Sequence, residues 1–109
     1  MQHAVQRITD ANFDQEVLAS AVPVLIDFWA ETCVPCRLQE PTIQRLAREL
    51  EGRAKVGRLD VYDNPRTTDA FRVRGVPHLA VIRGGEVVLE LVGGHSLEQL
   101  RDRLRSVDL

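Results

Sequence analysis

The chain is poor in cysteine and in aromatic residues, and it contains no long apolar run. It has two cysteines, one tryptophan, one tyrosine and three phenylalanines. No apolar segment approaches the roughly 20 residues that a membrane-spanning helix needs, and polar residues interrupt the N-terminal segment where a signal peptide would be apolar. We therefore expect a protein of the reducing cytoplasm, where paired cysteines are more often redox-active or metal-binding than structural.

Charge is not concentrated anywhere in the sequence. The 14 Lys/Arg and 16 Asp/Glu residues are scattered and give a formal net charge of −2. Because there is no basic cluster and aromatic residues for base stacking are few, nucleic acid is not expected as a partner. The 109 residues are 44% hydrophobic and 28% charged, with no repeat or linker, which is typical of one globular domain. We predict a single domain over residues 1–109 that acts as a monomer.

Strand and helix patterns alternate along the chain. They predict strands near residues 4–8, 23–29, 55–61, 79–82 and 87–92, and helices near residues 11–20, 34–50, 64–74 and 97–107. The order β-α-β-α-β-α-β-β-α favours parallel strands in the first half and an antiparallel hairpin, closed by two glycines, near the end. The predicted fold is therefore α/β, a three-layer α/β/α sandwich around a central mixed sheet.

Single residues mark the ends and interruptions of these helices. Thr9 and Asp10 are candidate caps for the first helix. Pro41 predicts a kink in the second helix, because it lacks the N–H that a helix interior requires. Ser96 and Gln99 have the spacing of a capping box ahead of the last helix.

Cys33 and Cys36 lie where a buried apolar strand ends and a helix begins. The first turn of a helix presents unpaired N–H groups and the positive end of its dipole, so the pKa of the Cys33 thiol should fall. Pro35 fits early in a helix, where its missing N–H is not needed. Cys36, one turn further in, is expected to be buried and neutral. Cys33 is therefore the predicted nucleophile toward a substrate disulfide, and Cys36 the residue that resolves the mixed disulfide.

Asp27 is a lone carboxylate inside the apolar strand that precedes the cysteines. Burial disfavours its charged form and should raise its pKa, which would suit a proton acceptor for Cys36. The alternative is that Asp27 only pairs with a buried cation such as Arg58.

The sequence resembles the thioredoxin family from about Phe13 to the last helix. The resemblance rests on an ordered set of motifs: Asp27, Phe28-Trp29-Ala30-Glu31, the CxPC pair, Gly75-Val76-Pro77, Gly84 and Gly93. It implies a thioredoxin fold and an electron carrier that reduces protein disulfides and serves cell redox homeostasis. It also implies recharging by an NADPH-dependent thioredoxin reductase, with the Cys33–Cys36 disulfide as redox centre and no tightly bound cofactor.

The same resemblance implies further site residues. Pro77 matches a proline that is cis in the family and lies against the cysteine pair. The residues expected to form a docking surface for an extended substrate segment are Trp29, Thr32, Val34, Pro35, Gly75, Val76, Gly93 and Gly94. The two glycines have an equally simple interpretation as a loop after a strand.

The chain departs from the family pattern at four positions. Thr32 and Val34 stand where thioredoxins usually have tryptophan and glycine, and both changes affect the surface beside Cys33. Arg58 replaces a lysine, and an arginine close to Asp27 should lower the pKa of that carboxylate. His78 replaces a threonine after the proline. It is either near the cysteines, where it could modulate them, or a surface histidine that opens a strand. His3 and His95 are expected to be surface residues.

Other functions compete with disulfide reduction. The unusual residues between the cysteines would also suit a disulfide oxidase or isomerase, and the fold could serve as a binding or assembly module without turnover. A metal site is not expected, because Cys33, Cys36 and His78 supply at most three ligands and a structural zinc site needs four.

Overall fold

The computed structural model describes residues 4–109, so the prediction for His3 lies outside the described residues. Its elements follow the predicted order, with a π-helical turn, Asp14–Leu18, as the first helix. The five strands are β1 (Val5–Arg7), β2 (Val24–Trp29), β3 (Lys55–Asp60), β4 (His78–Arg83) and β5 (Glu86–Val92). The three α-helices are α1 (Val34–Glu49), α2 (Pro65–Ala70) and α3 (Leu97–Arg105).

The strands form one mixed sheet in the order β1-β3-β2-β4-β5. β3 pairs in parallel with β1 and β2, whereas β4 is antiparallel to both β2 and β5. Helices α1 and α3 cover one face, where Ile43 and Leu100 pack with Leu25 of β2. On the other face, Phe28 packs with Val17 of the π-helical turn and with Phe71 after α2. The predicted three-layer architecture is confirmed.

The first helix is shorter than predicted. Instead of a helix over residues 11–20 there is one π-helical turn whose N-cap, Phe13, makes no side-chain cap bond. The predicted cap Asp10 binds a different helix: its carboxylate accepts hydrogen bonds from the backbone N–H groups of Arg66 (3.1 Å) and Thr67 (2.8 Å) at the start of α2. Asn64, the N-cap of α2, makes no such bond itself, so Asp10 satisfies these donors from a distant part of the chain.

Helix α2 also ends earlier than predicted, at Ala70. Phe71 packs against Phe13 and Phe28, with ring centroids 5.7 and 5.3 Å apart. Arg72 follows with φ +54°, a left-handed conformation that ends a right-handed helix.

The other end signals agree with the structure. Helix α1 ends at Glu49, close to the predicted end at residue 50; Pro41 lies inside it, and the kink expected there stays a prediction. Ser96 and Gln99 form both hydrogen bonds of the capping box. Gly84 and Gly85 close the β4–β5 hairpin with φ of +59° and +82°, values that favour glycine.

Candidate active site

The two cysteines form a disulfide at the N-terminus of α1, with their Cα atoms 5.3 Å apart. Cys33 is the N-cap of the helix and is partly exposed, whereas Cys36 is 0% exposed. The backbone N–H of Cys36 donates to Cys33 Sγ over 3.2 Å. The end of the helix thus provides a hydrogen-bond donor and a positive dipole to the sulfur that solvent can reach.

Cys36 faces the sheet from α1. It belongs to the buried stripe of the helix with Gln39, Ile43, Leu46 and Ala47, and Ile43 packs in the same cluster as Leu25. Asp27 is two residues after Leu25 on β2, so its side chain points to the same face of the sheet. Cys36 and Asp27 therefore belong to two surfaces that face each other.

Asp27 is 1% exposed and is paired with Arg58. The two residues are directly opposite each other on the parallel strands β2 and β3, and Arg58 Nε donates to Asp27 Oδ2 over 3.2 Å. Asp27 Oδ1 is buried and has no hydrogen-bond partner among residues 4–109. Burial raises the pKa of Asp27 to about 6, although the charge and hydrogen bond of Arg58 act to lower it.

The structure contains both the ion pair that the alternative interpretation of Asp27 required and the raised pKa that burial predicted. The carboxylate does pair with Arg58, and Arg58 does act to lower its pKa, as expected of an arginine at this position. The pKa is nevertheless raised overall, as burial predicted, because desolvation outweighs the charge and the hydrogen bond of Arg58.

Arg58 has two further neighbours, of which one was missed by the sequence analysis. Its Nη1 lies 3.3 Å from Glu40 Oε2, and its guanidinium carbon lies 4.0 Å from the centroid of the Trp29 ring. Glu40 follows Cys36 by four residues, which places it on the side of α1 that faces the sheet. The spacing of four residues between Cys36 and Glu40 was the feature of the sequence that could have indicated the contact between Glu40 and Arg58.

Strand pairing brings the remaining predicted residues to one end of the sheet. Phe28, His78 and Val92 are side by side on β2, β4 and β5. The segments that follow or precede them therefore meet at the end of the sheet where α1 begins. These segments contain the predicted docking residues Trp29, Thr32, Val34, Pro35, Gly75, Val76, Gly93 and Gly94.

The loops at this end are joined by backbone and side-chain contacts. The Val76–Pro77 peptide bond is cis, and the Pro77 carbonyl accepts a hydrogen bond from the N–H of Gly93 over 2.9 Å. Gly93 has φ +89°, so the turn itself requires glycine. Gln39, which the sequence analysis missed, accepts a hydrogen bond from the N–H of His95 over 3.3 Å and so ties this loop to α1.

Apolar side chains are exposed beside the disulfide. Val34 is 60% exposed, and Leu38, one turn further along α1, is 76% exposed. Leu38 was not among the predicted docking residues, although its spacing of four from Val34 places both on one side of the helix. Thr32, Pro35 and Gly75 are also exposed.

The prediction of a surface position for His78 is wrong. His78 is 6% exposed, its Nε2 lies 2.9 Å from Glu90 Oε2, and its ring packs edge-on against Phe28. Because it pairs with Phe28, its side chain lies on the opposite face of the sheet from Asp27. His95 is also not a plain surface residue: it is half-buried, with Nδ1 2.9 Å from the Gly93 carbonyl.

Within residues 4–109, no group of three or more His, Cys, Asp or Glu side chains is arranged to hold a metal ion. No helix in that range has the length and apolar character needed to cross a membrane.

The sequence is similar to one family of known proteins along most of its length. The family model described as Thioredoxin matches residues 4–106. A thioredoxin of Buchnera aphidicola is 42% identical over 97 residues, which cover 89% of this chain and 90% of the relative. Thioredoxin 1 of Nostoc sp. is 41% identical over 83% of this chain and 84% of its own length. A thioredoxin of Pseudomonas aeruginosa is 39% identical over 92% and 93%.

Proposed function

The chain belongs to the thioredoxin family, and from this membership we propose how its residues reduce protein disulfides. The chain is a protein disulfide oxidoreductase whose redox centre is the Cys33–Cys36 disulfide, without a tightly bound cofactor. Its partners are of two kinds, proteins that carry disulfides and a thioredoxin reductase. The oxidase, isomerase and assembly alternatives are not favoured.

Cys33 is the nucleophile in this proposal. The thiolate of Cys33 attacks one sulfur of a substrate disulfide, a mixed disulfide forms, and the other substrate sulfur leaves as a thiolate. Two observations support this assignment: Cys33 is the accessible cysteine, and it accepts a hydrogen bond from the first turn of α1. Cys36 has no exposed surface from which to meet a protein substrate.

Cys36 resolves the mixed disulfide with the help of Asp27. Its thiol transfers a proton to the Asp27 carboxylate, and the resulting thiolate attacks Cys33 Sγ. The Cys33–substrate bond breaks, the substrate leaves as a second thiolate, and the Cys33–Cys36 disulfide forms, so two electrons pass to the substrate. The raised pKa of Asp27, about 6, supports this role because it makes the carboxylate a better base than an exposed one.

Substrate binding uses the end of the sheet around Pro77. An extended substrate segment pairs with the backbone of Val76, and the exposed Val34 and Gly75 contribute to the surface on which it lies. The closing loop contains Gly93 and Gly94. Thr32 alters this surface relative to the usual tryptophan of the family, and Arg58 and His78 modulate the site through Asp27 and the start of β4.

The proposal also includes the finer identity of the partners and the compartment. The reductase that recharges the chain takes its electrons from NADPH, and the protein acts in the cytoplasm as a monomeric single domain. Reduction of insulin disulfides by the chain with NADPH and a thioredoxin reductase tests this part. Activity with dithiothreitol but not with the reductase would contradict it.

The contrast in exposure between the two cysteines carries the mechanism, and two serine variants test it. With Cys36→Ser, incubation with a disulfide-bearing protein should accumulate a covalent adduct, because the nucleophile remains and the resolving thiol is gone. With Cys33→Ser, no adduct should form and reduction should fall to the uncatalysed rate. Mass spectrometry of the adducts decides the matter, and an adduct on Cys36 in the Cys33→Ser variant would reverse the roles.

A further inference from the structure

One arginine at the site is shared between two carboxylates and an indole ring. Arg58 Nε donates to Asp27, Nη1 lies 3.3 Å from Glu40, and the guanidinium carbon lies over the Trp29 ring, 4.0 Å from its centroid. The three partners come from the end of β2 and from α1, while Arg58 itself comes from β3. The guanidinium is thus held from three directions.

The contact between Arg58 and Asp27 is incomplete on both sides. Nε and Nη2 lie on the same edge of a guanidinium, and together they can donate to both oxygens of one carboxylate. In the described part of the chain, the two atoms needed for the second bond, Arg58 Nη2 and Asp27 Oδ1, are both buried without a partner. A small rotation of the guanidinium toward Asp27 would pair them.

Glu40 opposes that rotation. It binds the guanidinium through Nη1, on the other side from the edge that faces Asp27, while the Trp29 ring occupies the space next to the guanidinium. The remaining neighbours of Asp27 carry no competing charge: its partner on β4 is Leu79, and the buried face of α1 contributes Cys36 and neutral residues.

We infer that Glu40 is a positioning residue for disulfide reduction, which holds Arg58 in a one-bond contact and so leaves Asp27 Oδ1 able to accept the proton of Cys36. This role rests on the proposed function of Asp27 as proton acceptor. Arginine does not lose its proton, so Arg58 always carries a positive charge. A second carboxylate that also binds Arg58, here Glu40, weakens the interaction of Arg58 with Asp27. Glu40 also raises the pKa of Asp27 through its own negative charge.

Two variants of Glu40 test the inference. Glu40→Ala removes the contact, and Glu40→Gln removes the charge while it keeps an oxygen that can accept a hydrogen bond. Arg58 should then bind both Asp27 oxygens, and the pKa of Asp27, measured by carbon NMR of its carboxyl group, should fall by roughly half a unit or more. The rate of the resolving step should fall by about two- to threefold because the base is weaker, and the pH profile should shift to lower pH.

Glu86→Gln is the matched control. It removes the same charge from the β4–β5 hairpin, at the end of the sheet opposite the disulfide, and should leave both the titration and the rate unchanged. Glu40→Asp should restore part of the parental behaviour.

The outcomes separate this inference from the proposed function. If the Asp27 titration is unchanged in both Glu40 variants while Asp27→Asn reduces substrate slowly, the role of Glu40 is overturned and Asp27 remains the proton acceptor. If Asp27→Asn works at the parental rate from pH 6 to 9, the proton-acceptor assignment fails and the role of Glu40 fails with it. A lower pKa with a slower resolving step supports both.

Discussion

Asp27 and His78 are both buried ionisable residues at the disulfide end of the sheet, but they lie on opposite faces and make different contacts. Asp27 lies on the α1 face, where Arg58 satisfies one of its oxygens and the other has no partner among the described residues. His78 lies on the opposite face, between the ring of Phe28 and the half-exposed carboxylate of Glu90. The contacts of Asp27 therefore leave one of its oxygens able to accept a proton, whereas those of His78 fix the position of its ring on the sheet.

The difference shows that burial alone does not identify a reactive group. A buried charge whose hydrogen bonds are incomplete destabilises the fold. Such groups are found mainly at functional sites, where they donate or accept a proton. His78 does not destabilise the fold in this way, because its ring packs on Phe28 and its Nε2 contacts the carboxylate of Glu90 at the surface. The comparison therefore predicts large, pH-dependent effects for substitutions on the α1 face and small, pH-independent effects on the other face.

The largest effect should come from removing the cation. Arg58→Met leaves Asp27 buried without a partner and raises its pKa further, so the folded protein binds the proton more tightly than the unfolded chain. Stability should then fall as pH rises, with a loss of about 3–5 kcal/mol at pH 8 and much less at pH 5. Chemical denaturation at both pH values measures this.

The double variant Arg58→Met/Asp27→Asn is the control for that prediction. It should recover most of the loss at pH 8, because no unpaired carboxylate remains. An equal loss at both pH values would instead assign the effect to the lost packing of Arg58 on Trp29.

A somewhat smaller effect is expected from Asp27→Asn. The pKa of Asp27 is raised in the folded state from 3.8 to about 6, so the contribution of Asp27 to stability is most favourable below pH 4, decreases as pH rises to about 6 and is then constant. The asparagine variant should lack this decrease and should be more stable than the parent by up to about 3 kcal/mol at pH 7. Parallel stability curves for the two proteins between pH 4 and 7 would contradict the prediction.

The smallest effect should come from the other face. Glu90→Gln removes the charge next to His78 but keeps an oxygen at that position, and Glu90 is half exposed. We expect a change in unfolding free energy of less than about 1 kcal/mol, with an unchanged pH profile of disulfide reduction. A shift of that profile would mean that the contact between His78 and Glu90 affects the reaction, in addition to the position of His78 next to Pro77.

The sequence predicted those features that depend on local pattern. The order of the elements follows from apolar periodicity, and the position of Cys33 at the start of α1 follows from the change of period between residues 29 and 43. The pairing of Asp27 with Arg58 was weighed only as an alternative, because a buried carboxylate needs a cation but its sequence does not show which one.

Features that depend on contacts between distant segments were not predicted. The ion pair of Glu40 with Arg58 joins α1 to β3, and local periodicity carries no information about which side chains meet across two elements. His78 was misjudged for the same reason: alternation along β4 assigns its face, but the packing on Phe28 and the contact with Glu90 depend on how three strands pair.

The bond between Asp10 and α2 has a consequence for how the site becomes ordered. Helix α2 has six residues, which is too short to be stable alone, and its first turn is completed by a carboxylate 57 positions earlier in the chain. The contact with Asp10 is therefore one of the interactions that stabilise this short helix in the fold. Since α2 leads into the Val76–Pro77 loop, the carboxylate of Asp10 also helps to fix the position of one wall of the active site.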